Sequence, residues 1–162
     1  MPRRSAGLLL YRAPSAPDGP EVLLVHPGGP LWARRPWASW SVPKGEVDDP
    51  DPEPSDEVLA ATAEREFAEE LGQAAPAGPR LDLGEVRQSG GKRVRAWAVA
   101  GDLDVSTVRS DTFTMPWPPG SGRTAEFPEV DEARWFGLTE AGRRIVAGQR
   151  PLLERLAEVV AR

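Results

Sequence analysis

Apolar residues in this chain recur with two different periods. Short runs rich in Leu and Val, Ser5 to Arg12 and Glu21 to His26, are separated by Pro14, Pro17 and Asp18-Gly19-Pro20 and predict two strands joined by a turn. A third brief strand is expected over Ala38 to Val42, stopping at Pro43-Lys44-Gly45, after a loop-like Pro27 to Pro36. From Ser55 the period changes: Leu59, Ala63, Phe67 and Leu71 fall every four residues, the stripe of a helix packed into a core. Ser55 suits the N-cap, Asp56 and Glu57 suit the positive end of the helix dipole, and Gly72 ends the run. Downstream, Leu81 to Gln88 and Arg93 to Ala100 read as strands around Ser89-Gly90-Gly91, and Glu132 to Phe136 as the last strand. Leu138 to Ala147 and Leu152 to Val160 read as helices. Strands around a central helix, with helices closing the chain, predict an α/β fold with a mixed sheet between helices.

The length, 162 residues, suits one domain spanning 1–162. The apolar stretch Ala6 to Tyr11 breaks at Arg12, too short for a signal-peptide core or membrane span, so a cytoplasmic protein is expected. Without cysteine, disulfides and thiolate zinc sites are excluded. A formal charge of −5 provides no broad counterion-release drive toward nucleic acid, which makes nucleic acid an unlikely partner. Oligomeric state is not legible at this level. A polyanionic substrate would need a basic pocket or a divalent metal, and the acids of the central helix point to metal.

Those acids are Glu66, Glu69 and Glu70, at i, i+3 and i+4, so one helix face presents all three. Crowding like charges costs helix stability unless a cation binds, and hard oxygen donors suit magnesium or manganese. A solvated acidic face is the plainer alternative. The apolar stripe weighs against it, because it anchors the helix rigidly, as a metal site requires.

The stretch Glu57, seven residues, Arg65-Glu66-Phe67-Ala68-Glu69-Glu70-Leu71-Gly72 resembles the signature box of the Nudix hydrolases. Six specified residues would coincide by chance in on the order of one window in ten million. Two features depart from the family pattern. Eleven residues, where five are usual, separate Gly45 from Glu57, and Gln73 stands at a normally apolar position. The surplus coincides with Asp49-Pro50-Asp51-Pro52-Glu53-Pro54, which cannot be helix and is expected to loop out of the box. The likeness also takes in Ser5-Ala6-Gly7, Trp40 to Gly45 and Arg134-Trp135-Phe136.

The resemblance implies the Nudix α/β/α sandwich and metal-dependent hydrolysis of a phosphoanhydride bond in a nucleoside diphosphate-linked substrate. It carries the metal-ligand role to Glu66, Glu69 and Glu70, with the carbonyl of Gly45. It gives Arg65 the orienting of those acids and Glu57 a structural role in the box. A carboxylate outside the helix serves as general base in such enzymes; Glu129 is the first candidate and Glu126 the second, either being otherwise a plain loop acid. Ser41-Val42-Pro43-Lys44-Gly45 is similar to diadenosine tetraphosphate hydrolases, in which such a lysine neutralises phosphate. Those enzymes often stack substrate on a downstream Tyr, whereas Tyr11 is the only tyrosine here.

Trp40, together with Trp32, Trp37 and Trp117, is a candidate for stacking a nucleobase, with core or lid packing as the alternative. His26 and Arg123 are candidates for phosphate contact, against a strand end and a connecting loop. Dinucleoside polyphosphates lead as substrate class, followed by nucleoside triphosphates. An RNA 5′-pyrophosphohydrolase and a noncatalytic Nudix-fold domain that binds nucleotide or partner are the rivals.

Overall fold

The structure, a computed structural model, describes residues 3–13, 19–48 and 53–161. Its main sheet has the strand order β4-β5-β1-β2-β8, with β3 paired to β1. The strands are β1 (Arg4–Arg12), β2 (Glu21–Pro27), β3 (Lys44–Glu46), β4 (Leu81–Arg87), β5 (Arg93–Ala100) and β8 (Val130–Gly137). β1 is the hub. It runs parallel to β5 from Arg4 opposite Arg93 to Tyr11 opposite Ala100. Its other edge is shared, antiparallel to β3 at Ser5 to Gly7 and to β2 at Tyr11 and Arg12. With neighbours on both sides and both faces covered, β1 reads as an unbroken apolar run, the pattern of a buried strand.

The helices α1 (Asp56–Leu71), α2 (Leu138–Arg144) and α3 (Arg150–Val160) cover the sheet. On one face Leu59, Ala63, Phe67 and Leu71 of α1 pack with Leu8, Leu10, Leu23 and Val25. On the other, Leu152, Leu153 and Leu156 of α3 pack with Leu9, Leu24, Trp40 and Phe136. Each fully buried Leu or Phe contributes about 1.5–3 kcal/mol relative to exposure. The mixed sheet between helices expected from the sequence is thus the fold observed.

The ends of α1 form as its sequence directs. Ser55 accepts a hydrogen bond from the Val58 N–H at 3.2 Å, and Gly72 takes a left-handed conformation (φ 74°) that a side chain would resist. Most of the Pro-acid excursion, 49–52, lies outside the described residues, as does the turn at 14–18.

Five expectations change. Ala38 to Val42 is no strand: it makes only isolated bridges, Ser41 with Val25 and Trp40 with Ile145, and the strand forms at Lys44–Glu46. Pro43 lacks the N–H that a ladder through this stretch would use. The predicted helix Leu138 to Ala147 stops at Arg144, because Ile145 turns extended (ψ 147°) to meet Trp40; α3 then begins at Arg150, two residues earlier than expected. β8 begins at Val130, two residues ahead of Glu132. A hairpin of β6 (Thr112–Pro116) and β7 (Thr124–Pro128), separate from the main sheet, occupies a stretch read as loop. Prolines at its ends hide the alternation of Phe113 and Met115 with Thr112 and Thr114.

Candidate active site

The C-terminal half of α1, the start of β3 and the segment preceding β8 converge on one cleft. Glu70, Lys44 and Glu129 line it together with Trp32, Lys92 and Gln149, around a space of about 330 Å³. The Lys44 backbone N–H donates to Glu70 Oε1 at 3.3 Å. Gly45 lies so close to the Glu66 carboxylate that a Cβ at this position would force that carboxylate to move. The structure thus brings Lys44 and Gly45 against Glu70 and Glu66, despite the lengthened connection between them.

Burial sets the electrostatics. Desolvation pushes the Glu70 carboxyl up to about 8, against the opposing attraction of Lys44. The Glu66 carboxyl is also raised, by desolvation and then by the Glu69 charge. Desolvation lowers the Lys44 ammonium. Glu129 is raised by desolvation and by the charges of Asp111 and Glu69. Asp111 reaches this group because the chain after β5 runs back along the end of α1, its N–H donating to the Glu69 carbonyl at 3.0 Å.

Arg65 braces the cluster. Its Nη2 donates to Glu66 Oε1 at 3.2 Å and to the Glu46 carbonyl at 3.4 Å, and its Nε faces Glu69 Oε1 at 3.9 Å. Its Nη1 pairs with Asp48, the largest of the influences raising the guanidinium's affinity for its proton. Sequence reasoning missed Asp48. Glu57, to which the box resemblance gave a structural role, is exposed on the first turn of α1, and no hydrogen bond or ion pair among the described residues uses it. Asp48, three residues past Gly45, takes up the arginine before the chain departs on its Pro-acid excursion; the only sequence signal was an acid beside the box glycine.

Gln149 was also missed, and it holds the approach to Lys44 in place. Fully buried, it accepts from the Val42 N–H at 3.0 Å and donates to Ser41 Oγ and Gln88 Oε1, both at 2.9 Å. Polar groups buried so deeply are stable only when satisfied, so this network fixes the Ser41-Val42-Pro43 turn.

The remaining candidates fall elsewhere. Trp40 is buried edge-on to Phe136, with ring centroids 5.1 Å apart, and lines a different cavity from the cleft. His26 lines that same cavity, its Nδ1 2.9 Å from Asp131 Oδ1 and its Nε2 2.9 Å from the Arg35 carbonyl oxygen. Its side chain leaves β2 on the face opposite Val25, away from α1, because strand residues alternate. Arg123 and Glu126 lie exposed on the β6–β7 hairpin, and neither lines the cleft. Trp117 is at the turn of that hairpin. Trp32, in contrast, does line the cleft.

Among the described residues no three acidic or histidine side chains already enclose a position for an ion. The donor set nevertheless fits a hard divalent cation: carboxylates crowded on one anchored helix, two of them raised by burial and mutual repulsion. Glu66, Glu69 and Glu70 would hold it, with the Gly45 carbonyl.

A family model, the NUDIX domain, matches residues 1–156. The chain belongs to the Nudix family and, with the box intact from Arg65 to Gly72, is a Nudix hydrolase, an enzyme of the pyrophosphohydrolase class. Its fold is similar to that of a C. elegans Ap4A hydrolase in a binary complex (TM-score 0.62, 21% identity, 97% of this chain and 98% of the other). It is also similar to the NUDIX domain of Shewanella oneidensis NrtR complexed with ADP ribose (0.61, 16%, 99% and 89%). A NUDIX hydrolase from Alicyclobacillus acidocaldarius gives 0.60, 20%, 100% and 92%. Among curated protein sequences none matches the chain. No helix among the described residues is long and apolar enough to cross a membrane.

Proposed function

We propose that the cleft hydrolyses a phosphoanhydride bond in a nucleoside diphosphate-linked substrate, with dinucleoside polyphosphates as the first class and nucleoside triphosphates as the second. The observation carrying this reading is the meeting of Glu70 of α1 with Lys44 and Glu129 around one cleft, with the Glu66 carboxylate against Gly45 beside it. A divalent cation, magnesium or manganese, held by Glu66, Glu69, Glu70 and the Gly45 carbonyl, supplies Lewis acidity and charge neutralisation when bound. Arg65, held by Asp48, keeps Glu66 and Glu69 in position.

Lys44 supplies positive charge to a phosphate oxygen. Desolvation lowers this ammonium, and an approaching anionic phosphate opposes that shift. Glu129 faces the cleft opposite Glu70 and takes the proton of the attacking water at its carboxylate. Its raised proton affinity, from partial desolvation and the charges of Asp111 and Glu69, makes it a better base than an unperturbed carboxylate. As water's oxygen bonds to phosphorus, the bridging P–O bond breaks and the departing phosphate carries away the electron pair. Of the four tryptophans named from the sequence as stacking candidates, Trp32 is the one that offers an aromatic surface at the cleft. A cytoplasmic setting accords with these substrates.

Phosphate release, measured with magnesium over dinucleoside polyphosphates, nucleoside triphosphates, nucleotide sugars and a 5′-triphosphorylated RNA, tests the reading. Turnover of the first two classes that disappears in chelator is expected. Silence across the panel with nucleotide binding retained would overturn it in favour of a binding domain, and selective turnover of the RNA would overturn the substrate class.

A further inference from the structure

Away from the cleft, across the loop that follows β2, lies a cavity of about 690 Å³, roughly twice the size of the cleft. Four arginines line it: Arg34 and Arg35 from the loop, Arg134 from β8 and Arg144 from the end of α2. The chain as a whole is acidic, so four guanidinium groups around one space represent a local reversal of charge. Two carboxylates share the cavity, Asp131 and Glu132, and offset half of that charge. Asp131 is engaged by His26 at 2.9 Å, and Glu132 pairs loosely with Arg134 at 3.6 Å.

The arginines keep donors to spare. A guanidinium has five N–H groups. The Arg34 side chain makes no hydrogen bond or ion pair among the described residues, and among them the Arg35 guanidinium meets only the Trp32 ring, its Cζ 5.4 Å from the centroid. Arg144 uses Nε on Glu140 at 3.0 Å and Nη1 on the Pro36 carbonyl at 3.5 Å, and its Cζ lies 4.5 Å from the Trp37 ring centroid and 5.4 Å from that of Phe136. Trp37 itself is 55% exposed beside the cavity, one of only two large apolar side chains so open among the described residues. The cavity is also lined by Trp40, whose buried Nε1–H has no hydrogen-bond acceptor there. Unspent cationic donors call for an anionic acceptor.

We propose that this cavity is a second, metal-independent anion site that takes a small ligand carrying two or more phosphate groups. Planar guanidinium forks match phosphate oxygens, and four of them exceed what one phosphate can engage. Trp32 lines the cleft while Arg34 and Arg35, two and three residues on, line the cavity, so one short loop forms a wall of both. The ligand therefore has two sources, the far phosphates of a long substrate passing over this wall, or a separate phosphorylated molecule.

Tripolyphosphate, titrated calorimetrically into the protein in the presence of chelator, tests the site. Wild type binds it, and R34A combined with R134A weakens binding by about tenfold or more, since each removes charged hydrogen bonds. Both side chains are exposed, so an unchanged melting temperature verifies the fold. K44A retains this binding. Binding that ignores the arginine pair, or follows Lys44 instead, would overturn the proposal. Steady-state kinetics of the arginine variant separates the sources: a raised KM for a dinucleoside polyphosphate but not for a nucleoside triphosphate marks the far end of the substrate. Unchanged KM for both, with tripolyphosphate binding lost, marks a separate ligand.

Discussion

The two cavities on either side of the 28–39 loop are opposites in charge and alike in logic. In the cleft, carboxylates crowd until burial and repulsion raise the Glu66 carboxyl and push that of Glu70 up to about 8. In the neighbouring cavity, guanidinium groups crowd with half as many acids to answer them. They differ in how they are built. The acids sit on one helix anchored by Phe67 and Leu71, whereas the arginines come from a loop, an edge strand and a helix end. A rigid acidic cluster suits a metal, which demands fixed donors; a pliable basic cluster suits phosphates, which accept many geometries.

The sharpest way to break this comparison is at the acids. Glu69→Gln removes a ligand charge, and turnover is expected to fall by about a hundredfold or more with the circular dichroism spectrum unchanged. Full activity would show that the helix acids are only a solvated face. Next comes the anchor: Phe67→Ala leaves a cavity beneath the acids and should cost about 3–5 kcal/mol in chemical denaturation. A cost below about 1 kcal/mol, as for a surface substitution, would show that α1 is not held by this stripe.

The difference in construction also explains what could be read from the sequence. Spacing along one helix survives in the sequence, so Glu66, Glu69, Glu70 and the stripe beneath them were legible, as were the main strands. Asp48 was not, because its partnership with Arg65 spans seventeen residues and depends on where β3 ends. Gln149 was missed for the same reason, since it acts on Val42 from the far side of the chain. Trp40 and His26 were placed by type alone; the strand's alternation put His26 on the face away from the acids. The β6–β7 hairpin was hidden by the prolines that bound it.

The arginine brace provides a finer test. Asp48→Asn should raise the magnesium concentration for half-maximal activity by about tenfold, while Glu57→Gln leaves it within about twofold. The reverse ranking would restore Glu57 to the role the box resemblance gave it and remove Asp48 from the account.

The pH response is the smallest expected effect. Glu70 is raised from the ordinary carboxylate range to about 8, so the folded protein keeps a proton there that the unfolded chain releases. Its contribution to stability without metal is full below about pH 4.5, falls as pH rises, and is gone above about pH 8. Melting curves in chelator should show this decline, and Glu70→Gln should flatten it. A divalent cation favours the ionised carboxylate, so magnesium binding near pH 7 should release protons, detectable by calorimetry in buffers of different ionisation enthalpy.

The most direct test of the central claim is a magnesium titration of diadenosine tetraphosphate hydrolysis by wild type and Glu70→Gln, with each curve repeated in chelator. The account predicts saturable, metal-dependent turnover in wild type, none in chelator, and loss of most turnover in the variant. Equal rates with and without magnesium, or an unaltered curve for the variant, would contradict it.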